Sequence, residues 1–308
     1  MTTIATLTMN PALDVTTGTP EVRPTNKLRC TAARHDPGGG GINVARVLHA
    51  LGGEAIAVFP AGGPAGARVE ALLRDAAVPV HAVPIAGDTR ESITIDETGS
   101  GLQYRFVLPG PELAAAEQAR LLDALAALPG PPQWIVASGS LPPGVAPDFY
   151  CDVAAAARRL GARLILDTSG AALKASEGAG AFLIKPSRSE LEAVTGRPLI
   201  GAEDEAAAAR ELLARGFAQS IVVSLAERGA LLVTNEGVEH FPAIEVPIAS
   251  AVGAGDSMVG AITLALSQGK SVREAVRYGI AAGAAALMTP ATELVRRADV
   301  ERLAAGAS

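Results

Sequence analysis

The sequence predicts an α/β protein, a central and mostly parallel sheet flanked by helices, with a small β-sheet projecting from it as a lid. Three observations carry this. From Val44 onward short apolar runs alternate with alanine-rich stretches of helical length, the pattern of a parallel sheet covered on both faces. With 308 residues, 49% of them hydrophobic, the chain can bury one large core. Residues 91–96 and 103–108 instead alternate in character around Glu97-Thr98-Gly99-Ser100-Gly101, as a β-hairpin does.

In chain order, residues 4–9 read as the first strand. The cluster Pro37-Gly38-Gly39-Gly40-Gly41 then opens a helix in which Ile42, Ala45, Leu48 and Leu51 share a face. Apolar runs at 54–60, 134–138, 163–167, 182–185 and 220–224 supply further strands, and 113–128, 148–160 and 203–215 supply helices between them. Residues 27–34 read as another strand of the small sheet. Residues 1–308 thus form a single domain, and segments near 14–36 and 88–108 form a lid over the active site.

Composition excludes several functions. The net charge of −6 opposes a general nucleic-acid or anionic-membrane binder, so any phosphate site must be local. Cys30 and Cys151 are too few for a disulfide framework or a thiolate metal cluster, which fits a reducing cytoplasm. No basic leader precedes a long apolar stretch, and no window reaches membrane-spanning length. The expectation is a soluble cytoplasmic protein.

Chemistry concentrates in Ser250-Ala251-Val252-Gly253-Ala254-Gly255-Asp256, a loop that delivers a carboxylate into the first turn of an apolar helix. Glycine lets backbone approach an anion, and the free N–H groups of the helix start favour phosphate charge. Asp256 sits where it could take a proton from an attacking hydroxyl. Asn43, after the first glycine cluster, offers both donor and acceptor to a hydroxyl-bearing ligand, although it could equally cap its helix. Asp14 could accept from sugar hydroxyls, and Lys27, Arg90 and Arg105 at the roots of the lid would suit a dianionic phosphate. Ser138 begins a turn that could wall a pocket. The glycine runs match neither the dinucleotide-binding frame nor the Walker loop, and the four histidines lack metal-ligand spacing.

Together these segments resemble the PfkB, or ribokinase-like, family of carbohydrate kinases. Residues 38–46 look like its N-terminal glycine motif and residues 252–261 like its C-terminal motif. The resemblance implies a ribokinase-like fold and ATP-dependent phosphorylation of a sugar. The runs at 27–32, 59–63, 103–107 and 138–144 are most similar to members that phosphorylate fructose 6-phosphate at its 1-hydroxyl. It further implies that Asp256 is the general base and that Gly253, Ala254 and Gly255 form an anion hole. Asp14, Gly39 and Asn43 would hold the sugar, with Lys27, Arg90, Arg105 and Ser138 around its phosphate. ATP would lie beside Lys185, Ser187 and Glu190, along Ser224, Ala226 and Gly229, and against Ile280 and Ala284. Magnesium would bind mainly through ATP and water near Glu190, and potassium through carbonyls at Ser250, Val252 and Ala286. A homodimer joined through the lids is also implied.

Three departures from the family pattern stand out: Ser187 where Asn is usual, Ala226 where glycine is usual, and the run Thr289-Pro290-Ala291-Thr292-Glu293. Family members acting on tagatose 6-phosphate or fructose 1-phosphate share the same plan and are the alternative. A noncatalytic sugar-phosphate-binding regulator is the remote one.

Overall fold

The computed structural model describes residues 3–290 and 293–306. Its strands are β1 (Ile4–Leu7), β2 (Ala12–Thr19), β3 (Arg34–Gly38), β4 (Ala55–Ala61), β5 (Val80–Pro84), β6 (Arg90–Glu97) and β7 (Leu102–Val107). They continue with β8 (Trp134–Ser138), β9 (Arg163–Asp167), β10 (Ala181–Ile184), β11 (Ala218–Ser224), β12 (Ala230–Thr234) and β13 (Gly237–Phe241). The helices are α1 (Gly40–Ala50), α2 (Gly63–Asp75), α3 (Ala115–Ala126), α4 (Phe149–Arg159) and α5 (Gly170–Ala175), then α6 (Arg188–Thr195), α7 (Gly201–Ala214), α8 (Ala254–Ser267), α9 (Val272–Leu287) and α10 (Arg297–Gly306).

The main sheet runs β13-β12-β11-β10-β9-β8-β1-β4-β5 and is parallel from β11 to β5, with β12 and β13 added antiparallel at one edge. Its central strands bury both faces, which is why they read as unbroken apolar runs. In β8, Ile135 and Ala137 join the core beneath α3 to α7, while Trp134 and Val136 join the core beneath α1, α8, α9 and α10. The same alternation in β9 and β11 separates Leu164 from Ile165 and Ile221 from Val222.

The second sheet runs β3-β2-β6-β7, with β2 and β6 parallel and the outer pairs antiparallel. Leu13 anchors it to the body through a third core with Ile42, Phe59, Val69 and Leu73. The anticipated hairpin is β6 and β7. The strand anticipated at 27–34 is a correction: only its last residue is in a strand, and β3 begins there. The Thr31 N–H donates to the Gly18 carbonyl at 2.9 Å, but residues 27–33 form no ladder and are mostly exposed. Without a covering layer, their alternation buries nothing and fixes no register. At the other ends the sequence reading is accurate within a few residues, and β8 and β9 begin and end where expected.

Candidate active site

The site lies where the parallel strands end, at their C-terminal edge, which is where open α/β sheets leave a crevice. Close packing of glycine shapes its floor. A Cβ at Gly40 would stand 2.3 Å from Ser138 Oγ, and one at Gly41 would stand 2.6 Å from the Leu7 carbonyl. Gly39 has φ of +110° and no room beside Thr8. The start of α1 is therefore pressed onto the ends of β1 and β8, as only glycine allows.

Opposite it, Gly253 (φ +76°) ends the loop before α8 in the left-handed region, with the Leu294 side chain occupying the space a Cβ would need. Asp256 follows in the first turn of α8. The Asn43 amide donates from Nδ2 to Asp256 Oδ2 at 2.8 Å, and Arg46 Nη1 donates to Asn43 Oδ1 at 3.3 Å. Lys185 Nζ reaches over Gly255, 3.4 Å from where a Cβ would be, and pairs with Asp167 at 3.2 Å.

Electrostatics follow from this crowding. Burial, with Asp167 and Asp14 adding to it, pushes the Asp256 carboxyl up to about 7 against the opposing pull of Asn43 and Lys185. Burial likewise raises Asp14 to about 6, although Arg90, Arg105 and Arg46 pull it down. Burial works against the charge of Lys185, but Asp167, Glu190 and Asp256 outweigh it and keep the ammonium protonated.

A cavity of about 250 Å³ separates the lid from the α8 loop. Asp14, Gly39, Asn43, Arg90, Arg105, Gly253 and Asp256 all line it. Arg90 bonds the carbonyls of Leu108 and Asn10, each at 3.1 Å, while its Nε is buried with no partner among the described residues. That orphaned donor suits an anionic ligand. Two expected residues are not brought to this cavity. Lys27 is exposed in the loop between β2 and β3, and Ser138 is 1% exposed, behind Gly40.

The residues expected around ATP lie along the neighbouring strand ends. Ser187 caps α6, with its N–H donating to Glu190 Oε2 at 2.7 Å and its Oγ accepting from the Glu190 N–H at 3.3 Å. Ser224 is bridged to Ser187, and Ala226 and Gly229 form the following tight turn. Ala226 has φ of +52°, which accounts for glycine being favoured at that position. Ile280 and Ala284 share a face of α9, four residues apart.

The residues fit the expected metals unequally. Among the described residues no group of three His, Cys, Asp or Glu could cage an ion. A lone carboxylate at Glu190, with one oxygen engaged by the helix cap, fits magnesium that arrives with nucleotide phosphates and keeps its waters. The Ala286 carbonyl accepts from the Thr289 N–H at 3.2 Å, and the single Thr289 hydroxyl proton is shared between the Ala286 and Leu294 carbonyls, each at 2.8 Å. The Thr289 hydroxyl would have to turn to the Leu294 carbonyl for a cation to take its place at the Ala286 oxygen. Val252 and Ser250 are near α9 through bonds from Ala249 and Ser250 to the Leu287 carbonyl. Of the divergent run, Ala291 and Thr292 lie outside the described residues.

Sequence reasoning passed over three contributors. Asp167 ends β9 at the crevice, a position that marks it once the strand is recognised. Asn10 has its carbonyl on Arg90 and its amide 3.2 Å from Ser140 Oγ. Arg46 was visible only as a neighbour of Asn43 on one helix face.

The comparisons with known proteins agree with this fold. The model of the pfkB family carbohydrate kinases matches residues 7–295. The chain belongs to this family, and its fold is ribokinase-like. It is 54% identical over 299 residues to ATP-dependent 6-phosphofructokinase isozyme 2 of Mycobacterium tuberculosis H37Rv, covering 97% of this chain and 88% of that protein. With the Escherichia coli K12 protein of the same name it shares 44% identity over 304 residues, 98% of each chain. The structure of phosphofructokinase-2 from E. coli in complex with potassium superposes with a TM-score of 0.95 at 43% identity, covering 100% of this chain and 99% of that one.

Proposed function

We propose that this chain is a cytoplasmic, ATP-dependent 6-phosphofructokinase that transfers the γ-phosphoryl group of ATP to the 1-hydroxyl of fructose 6-phosphate. The products are fructose 1,6-bisphosphate and ADP. The observation that carries this reading is that Asp256, Arg90 and Arg105 line one cavity of about 250 Å³ together. Names of the relatives at 54% and 44% identity support the same substrate.

Asp14, Gly39 and Asn43 hold the sugar hydroxyls, and Arg90 and Arg105 hold its phosphate. Lys27 and Ser138 are left outside this cavity. Asp256 takes the proton of the 1-hydroxyl as its oxygen attacks phosphorus, and the bond from phosphorus to the bridging oxygen of ADP breaks. The N–H groups at Gly253, Ala254 and Gly255 and the ammonium of Lys185 stabilise the charge on the transferring group. Ser187, Glu190, Ser224, Ala226, Gly229, Ile280 and Ala284 bind ATP. Magnesium, when bound with ATP near Glu190, neutralises phosphate charge. Potassium at Ser250, Val252 and Ala286 would require the Thr289 hydroxyl to turn to Leu294, and no step is routed through it.

The body and lid act as one domain, and two copies join through their lids. Leu102, Phe106 and Val107 support this, being 59%, 50% and 62% exposed on β7.

A coupled ADP-release assay across fructose 6-phosphate, fructose 1-phosphate, tagatose 6-phosphate and unphosphorylated fructose tests the reading. The highest kcat/KM should fall on fructose 6-phosphate. Preference for either other phosphate would reassign the acceptor, and no ADP release with any sugar would leave only a sugar-phosphate-binding regulator.

A further inference from the structure

Asn43 is the one side chain that hydrogen-bonds the Asp256 carboxylate among the described residues, and an amide can face it in two ways. With Nδ2 toward Asp256 it donates, which favours the ionised carboxylate. Turned over, it would present Oδ1, repel the carboxylate and accept from a protonated carboxyl instead. Arg46 lies three residues along α1, on the same face, and its guanidinium can only donate. Its Nη1 is held by the Pro37 carbonyl at 3.0 Å and meets Asn43 Oδ1 at 3.3 Å.

We infer that Arg46 is a positioning residue, which fixes the Asn43 amide with Nδ2 toward Asp256 and so keeps that carboxylate in its basic form. The inference rests on Asp256 being the general base. Asp14 from β2, Asp167 from the end of β9 and Lys185 after β10 also face Asp256 and set its background field. Arg46 itself is faced by Asp14 from β2 and by Asp36 and Arg34 from β3. Its own charge acts on Asp256 directly as well, so the test must separate the two routes.

Asp256→Asn comes first. Near-parental turnover there would remove the base and the proposed mechanism with it, independently of Arg46. If turnover collapses, kcat is measured against pH for Arg46→Met in two backgrounds. In the parent background the acid limb should move up by about one pH unit, the equivalent of losing one hydrogen bond to a charged group. The rate should then fall about tenfold below the limb and recover to within about threefold at pH 9. In an Asn43→Ala background only the direct effect of the charge is left, so Arg46→Met should move the limb by less than half as far as in the parent.

A limb left in place in the parent background, with rates lowered equally at every pH, would make Arg46 merely structural. An equal shift with and without Asn43 would mean that Arg46 acts through space by its charge, and would also overturn the inference. If Arg46→Met does not fold, Arg46→Lys keeps the charge near Asp14 and Asp36 but has a shorter reach toward Asn43. It should move the limb in the same direction, and an unmoved limb would equally sink the proposal.

Discussion

Asn43 and Asp256 are 213 residues apart in sequence and 2.8 Å apart in space, joined amide to carboxylate across the two helix starts that frame the site. The first turn of α1 and the first turn of α8 therefore report on one another. Changes at either end should be read in the rate.

Replacing Asp256 by Asn should lower kcat by about 10²–10⁴-fold, because an amide cannot accept the hydroxyl proton. Binding of both substrates, followed by calorimetry, should change little. Turnover within a few-fold of the parent would remove Asp256 from the role.

The same carboxyl, raised from 3.8 to about 7, should govern pH dependence in two opposite senses. Activity needs the ionised form, so kcat should rise with pH through about 7. Stability runs the other way, because the folded state binds the Asp256 proton more tightly than the unfolded chain. Its contribution is intact below about pH 4 and is lost as pH rises toward 7. The full shift would correspond to about 4 kcal/mol, and because Asp256 is only partly buried at the cavity wall a screened contribution of about 1–2 kcal/mol is expected. Asp256→Asn should thus gain thermal stability over the parent at pH 8 and little at pH 4. Equal changes at both pH values would contradict a buried, proton-retaining carboxyl.

Arg90→Ala should raise KM for fructose 6-phosphate about ten- to a hundredfold while leaving ATP affinity near parental. Unphosphorylated fructose supplies the control. If its use falls by the same factor, Arg90 does not read the phosphate.

Much of this architecture was legible because the central strands are buried on both faces and so carry an apolar signal that polar neighbours do not blur. Residues 134–138 and 163–167 are of that kind. Residues 27–33 misled because their alternation faces solvent on both sides, where pattern carries no packing information. At the cavity, Asn43 and Asp256 were readable from motifs, and Asp14, Arg90 and Arg105 from their places beside the predicted strands. The burial of Ser138 was not readable, because it depends on Gly40, which arrives from another part of the chain. Asp167 and Arg46 act through partners that only the fold brings near.

Ser187→Asn should keep α6 intact, since both residues cap helices well. Its amide offers a further group to organise water beside Glu190. The free magnesium giving half-maximal rate at fixed MgATP should fall, with sugar-phosphate KM unchanged. Superimposable titrations for the two proteins would refute this.

Leu102→Asp places a charge on the exposed apolar side of β7 and should shift the protein toward monomer in sedimentation velocity. An unchanged sedimentation coefficient, whether both proteins are monomeric or both are dimeric, would remove the lid from the interface.

Arg90 grips the carbonyls of Asn10 and Leu108, one just before the chain enters the lid and the other just after it leaves. The same guanidinium thus fastens the first and the last of the lid's connections to each other at the fulcrum. A ligand that draws on its unpartnered Nε–H should also stiffen that joint, and by reciprocity whatever stiffens the joint should tighten the ligand. Amide exchange in β6 and β7 is therefore a second readout of sugar-phosphate affinity, available without turnover.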